Sequence, residues 1–122
     1  MATSAERRRA PRLSERVAVA ISDAGTELKT ETKNLSASGA YCTLDRFIAP
    51  MSKLQLRFDL PNGSRRVVIQ CAGVVVRVEP VIANTERGQY HVAIFFTELS
   101  ERHRAAIGRF VRQRLATAPS PD

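Results

Sequence analysis

The chain has no tryptophan, only two tyrosines and only two cysteines among 122 residues. Cys42 and Cys71 share no close-spaced motif with each other or with the two histidines, His91 and His103. That spacing gives neither a zinc pattern nor a disulfide framework, and reduced thiols packed as small apolar groups are expected. No run of residues approaches the roughly 18–20 continuous apolar positions of a membrane-spanning helix, so no membrane insertion is expected. The opening MATSAERRRAPR carries charge with no apolar stretch behind it, which is not the pattern of a secretory signal; a cytoplasmic protein is expected. Serine, histidine and aspartate are present, but nothing places them as a catalytic triad, and no enzyme, cofactor or metal is expected. No internal repeat is visible.

Lysine is scarce too. Of nineteen basic residues only Lys29, Lys33 and Lys53 are lysine; the other sixteen are arginine, and against twelve acids the formal net charge is +7. Arginine offers a planar fork of donors that matches phosphates and guanine edges, and it stacks on rings. An arginine-heavy basic chain therefore points to an anionic partner without saying which.

Length suits a single domain able to bury its own core. Residues 1–11 are polar, charged and without an apolar period, and read as a flexible basic arm. From Arg16 the period becomes two. Val17, Val19 and Ile21 alternate with smaller or polar residues; Ser22-Asp23-Ala24-Gly25 is turn chemistry; Thr26–Leu35 alternates again, so the pair reads as a hairpin. A strand over Ala40–Leu44 follows the small-residue cluster 34–39. Leu54, Leu56, Phe58 and Leu60 alternate strictly with polar neighbours, and Pro61-Asn62-Gly63-Ser64 is a turn. Arg66–Val78 is β-branched almost throughout and too long for a flat strand, so Gly73 marks a bulge or sharp bend. After a loop over Glu79–Gly88, Gln89–Phe96 is the last strand.

The period then changes to that of a helix. Ser100 is a good N-cap, and Ile107, Phe110, Val111 and Leu115 share one face. Arg102, Arg104, Arg109 and Arg112 read as a solvated outer face. Tyr41, Tyr90, Phe95 and Phe96 read as core or rim rather than stacking platforms. The expected fold is mainly all-β: a small six-stranded antiparallel barrel with a C-terminal helix, closed because closure removes exposed strand edges. The expected limits are an arm over 1–11, barrel and helix over 12–116, and a disordered tail over 117–122.

Two patches carry chemistry. In Arg7-Arg8-Arg9-Ala10-Pro11-Arg12, Arg8 and Arg12 are separated by three residues; Asn34-x-Ser36-x-x-Gly39 follows on the turn between two strands. Arginines on an arm can clamp phosphates bidentately and reach the O6/N7 edge of guanine. A small-residue turn supplies backbone N–H groups, and Gly39 removes a Cβ that would block close approach. Taken alone, the first patch is a solvated basic tail and the second an ordinary turn held by Asn and Ser hydrogen bonds.

Together, in this order, they resemble the PilZ domain family of bacterial receptors for cyclic di-GMP. The RxxxR pattern at Arg8 and Arg12 and the [D/N]xSxxG pattern at Asn34, Ser36 and Gly39 carry the likeness, with Gly73-Val74-Val75-Val76-Arg77 and Tyr90–Phe96 as similar surroundings. Ala93 departs from it, standing where such chains usually carry glycine. The resemblance implies a cyclic di-GMP ligand, contacts from Arg8 and Arg12 to guanine and phosphate, a guanine held by Asn34, Ser36 and Gly39, and looser contacts from Arg7 and Arg9. It also implies an arm that folds over the barrel when ligand arrives, signalling to a protein partner. Two other readings compete: an adaptor with this fold that binds no nucleotide, against which the intact motifs argue, and a small basic nucleic-acid-binding barrel.

Overall fold

A computed structural model describes residues 12–82 and 88–117. Six strands and one helix follow in chain order: β1 (Ala18–Asp23), β2 (Thr26–Leu35), β3 (Gly39–Leu44), β4 (Lys53–Asn62), β5 (Arg65–Pro80), β6 (Tyr90–Glu98) and α1 (Glu101–Thr117). The strands close into one antiparallel barrel in the order β1-β2-β3-β6-β5-β4. The expected fold class is therefore observed; the expected arm, 1–11, lies outside the described residues.

Alternation builds the core. In β4 every second residue, Leu54, Leu56, Phe58 and Leu60, is buried between exposed neighbours, as a half-buried strand requires. These side chains join Ile21, Leu35, Ile69, Val75, Val92 and Ile94 in a single apolar cluster. Cys42 and Cys71 are part of it as free thiols, and burial pushes them up to about 12 and about 11 respectively.

The turns obey their residues. Asp23 pairs with Thr26 across a two-residue loop in which Ala24 and Gly25 both take positive φ, the twist that suits the flanking strands. Gly63 opens the next hairpin with φ 67°. Gly73 falls at a register shift in the β5–β6 pairing, where an added Cβ would lie 2.7 Å from Ile94 Cγ2. The bulge expected there is present. Strand limits differ from expectation by one or two residues, mostly because the ladders run into the turns.

Helix α1 starts on Ser100, whose hydroxyl accepts the His103 N–H at 3.1 Å. Ala106, Ile107, Phe110 and Val111 are buried against the barrel. Leu115, expected on the same stripe, is instead exposed, because residues 112–116 all lie beyond the buried face of the helix. No described helix is long and apolar enough to cross a membrane.

Candidate functional site: a cationic concavity on the β3–β6–β5 wall

The residues before β1 do not approach the barrel at random. Leu13 and Leu35 exchange two backbone hydrogen bonds of 2.8 Å, and Thr32 N–H donates to Val17 O at 2.9 Å. The buried Thr32 hydroxyl accepts the Val17 N–H at 3.1 Å. With Leu13 and Val17 buried, the segment is pinned along the last half of β2. Ion pairs Arg16–Glu31 (3.7 Å) and Arg114–Glu15 (3.6 Å) flank it on the surface. This track delivers Arg12, itself exposed, to the end of β2.

That end of β2 is shaped by a bulge. Thr32 pairs with Cys42, but Asn34 pairs with Tyr41, so Lys33 is an extra residue. The inward set Leu28, Thr30, Thr32 consequently passes to Leu35 rather than to Asn34. Without the extra residue the amide of Asn34 would point into the apolar core. With it, Asn34 is half-buried on the outer wall.

The turn that follows holds itself together through Ser36, which is buried. Its hydroxyl accepts the Ser38 N–H at 3.2 Å, lies 3.0 Å from the Ser38 hydroxyl and 3.4 Å from Gly39 O; its N–H donates to Gly39 O at 2.9 Å. The hydroxyl of Ser36 thus organises the turn, while half-buried Ser38 offers a second one. Gly39 is required for a reason other than ligand access. A Cβ there would collide with the backbone carbonyl oxygen of Ile94, so only glycine lets β3 lie this close to β6.

Arg12, Asn34, Ser36 and Gly39 line one concavity of about 420 Å³, together with Ser38, Tyr41, Val76, Arg77, Ala93 and Phe95. Of the residues expected in the site, these four are brought together; Arg7, Arg8 and Arg9 lie outside the described residues. Among the described residues the lining contains two arginines and no carboxylate. Two exposed cations beside polar backbone form an attractive seat for an anion.

Several contributors were not singled out from the sequence. Arg77 and Val76 both face outward because β5 shifts register between Val75 and Arg77, which turns two successive side chains to the same wall. Phe95, read as core or rim, is 51% exposed on the floor of the concavity. Its neighbour Phe96 is buried as expected. Arg104, read as part of a solvated face, reaches back from α1 to donate to Ala37 O at 3.0 Å. His91 also has partners: its Nδ1 lies 3.2 Å from the Thr43 hydroxyl, and its ring stacks on Tyr41 at 5.5 Å. Among the described residues no group of three or more His, Cys, Asp or Glu side chains is arranged to hold a metal ion.

Fold and site together define a small closed β-barrel that presents a cationic concavity on its outer wall, beside the segment that leads into β1. The family model of the PilZ domain matches residues 6–113, nearly the whole chain, and the chain belongs to the PilZ domain family. No curated protein matches it. Among solved structures it is similar to the Bacillus subtilis inhibitor of motility MotI/DgrA, with TM-score 0.76 and 20% identity, covering 92% of this chain and 53% of that one. The chain thus spans about half the length of that relative. It is also similar to the PilZ domain of YcgR from Escherichia coli, solved with c-di-GMP (TM-score 0.63, 15% identity, 92% of this chain and 99% of that one). A third is the PilZ domain of CeSA from a cellulose-synthesizing bacterium (TM-score 0.55, 15% identity, 84% of this chain and 95% of that one). At these identities the likeness is one of fold.

Proposed function

We propose that the protein is a non-catalytic receptor for cyclic di-GMP that signals to a protein partner in the cytoplasm. One observation carries the reading. Arg12 and the Asn34-x-Ser36-x-x-Gly39 turn, separated in sequence, line the same concavity, and among the described residues no carboxylate lines it with the arginines. Family membership supports the choice of ligand, as does the YcgR domain solved with c-di-GMP. The ligand's phosphates draw Arg12 and Arg77, a guanine lies against the turn, and Phe95 gives it an apolar shelf. Arg8, with Arg7 and Arg9, adds forks from residues 1–11, which close over the ligand and create the surface that the partner reads. No cofactor takes part.

Isothermal titration of the full chain with cyclic di-GMP tests this directly. A saturable heat of binding is expected. Replacing Arg12 with alanine removes charge-assisted hydrogen bonds of about 1.5–3 kcal/mol, so affinity falls about tenfold or more. No heat with the wild-type chain, or equal heat with Arg12→Ala, defeats the reading; binding to polynucleotide with a steep salt dependence would favour the nucleic-acid barrel instead.

A further inference from the structure

The Ser36–Gly39 turn has three carbonyls taken up by three different parts of the protein. Gly39 O accepts from Ser36 N–H within the turn, and Ser38 O accepts from Phe96 N–H on β6, each at 2.9 Å. Ala37 O is reached from α1, by Nη1 of Arg104 at 3.0 Å, sixty-seven positions away in sequence.

Arg104 is well placed to act on what lies beyond that carbonyl. It belongs to the first turn of α1, where its own N–H closes onto Ser100 O at 2.8 Å. One turn further on, Ile107 is fully buried, so the start of the helix is seated on the core. The Ala37 carbonyl and the Ser38 N–H belong to one peptide unit. The guanidinium grips the oxygen end, while the N–H end donates to Ser36 Oγ at 3.2 Å. A cation on the carbonyl polarises the unit and strengthens that donor. Ser36 Oγ in turn lies 3.0 Å from Ser38 Oγ, and both serines line the concavity. A continuous hydrogen-bonded path therefore runs from the helix to two site residues, through one peptide.

We infer that Arg104 is a positioning residue: it holds the Ser36–Ser38 hydroxyl pair in its ligand-facing arrangement and couples that arrangement to the seating of α1. The inference rests on the receptor reading for its ligand, though not for its mechanical content. Coupling of this kind is reciprocal. A ligand that fixes the turn tightens the first turn of α1, and loosening α1 weakens the ligand. The start of α1 is then the place where occupancy of the β3–β6–β5 wall is felt elsewhere on the surface.

The test uses the full chain with Arg104→Met, which keeps the aliphatic stem, Arg104→Lys, which restores a cation, and Arg112→Met as a control on the exposed end of the same helix. In free Arg104→Met, amide exchange at 37–39 accelerates about tenfold while β4 and β5 exchange as in wild type, a local opening rather than a global one. Cyclic di-GMP affinity falls about five- to tenfold in Arg104→Met, recovers in part in Arg104→Lys, and is unchanged in Arg112→Met, with melting temperatures of the two Met variants alike. Saturating ligand slows exchange over 101–107 in wild type and fails to do so in Arg104→Met. Wild-type exchange at 37–39 in Arg104→Met, or an affinity loss that only tracks lowered melting, overturns the inference. If the wild-type chain binds no cyclic di-GMP, the receptor reading falls, and the exchange comparison in the free chain decides the positioning role by itself.

Discussion

Two concavities indent opposite walls of this barrel, and the larger is the less promising. The one on the β2–β1–β4 wall has about 640 Å³ and is lined by Arg16, Lys29, Arg57, Arg66 and Arg114, five cations against two in the site. Two of these five cations are paired, however. Glu15 and Asp59 stand in its lining, Arg16 faces Glu31, and Arg114 lies against Glu15 while stacking 5.1 Å over the Phe110 ring. Its lining along β1 includes Ala18 and Ala20. The smaller concavity, about 420 Å³, pairs Arg12 and Arg77 with a self-braced polar turn and has no acid among the described residues of its lining. Counting basic residues alone would choose the β2–β1–β4 wall rather than that of the proposed site. What the proposed site adds to its cations is a preorganised polar turn with no acid among the described residues beside it.

The sharpest way to break this contrast is to remove one arginine from each wall. Arg12→Ala is expected to weaken cyclic di-GMP about tenfold or more by titration calorimetry, while Arg57→Ala changes affinity less than about twofold. Equal losses on both walls would mean that net charge, and not the site, attracts the ligand. Next in size is Gly39→Ala. The added Cβ meets the Ile94 carbonyl, so β3 and β6 must part, and thermal melts should show a loss of about 1–3 kcal/mol. A smaller effect, about 1–2 kcal/mol by denaturant titration, is expected from Thr32→Val, which leaves the buried Val17 N–H without its hydroxyl partner. Because that bond pins the track leading to Arg12, affinity should drop with it. The smallest effect concerns the thiols, which lie inside the barrel and belong to neither wall. Native pKa values near 12 and 11 exceed the ordinary 9.0, so Cys42 and Cys71 leave stability unchanged below about pH 9 and erode it as pH rises from there toward 11–12, where only the unfolded thiols ionise. The expected record is a stability difference between wild type and a Cys42→Ala, Cys71→Ala variant that stays constant below about pH 9 and shrinks above it; a thiol-dependent decline at neutral pH would contradict the burial.

Much of the fold was legible because local rules and global packing agree. The strict Leu54, Leu56, Phe58, Leu60 alternation, the Ala24-Gly25 and Gly63 turns, the Gly73 bulge and the Ser100 cap each follow from a residue's own conformational preference. The site was legible only where its residues fall in a recognisable motif. Two bulges hid the rest. The Lys33 bulge leaves a faint trace, since the inward spacing slips by one between Thr32 and Leu35. The shift between Val75 and Arg77 leaves none, because an unbroken run of valines has no polar face to betray which residues turn outward. Arg104 was hidden differently: a helical period separates buried from exposed faces but says nothing of a long side chain reaching sideways to a turn far off in sequence.

The most direct test of the two-wall contrast is a titration of the isotope-labelled chain with cyclic di-GMP, following backbone amide resonances. Shifts are expected to gather at residue 12, at 34–39, at 76–77 and at 93–95, leaving Ala18–Ser22 and the middle of β4 still. Shifts concentrated along β1 and β4, or none at saturating ligand, would contradict the account.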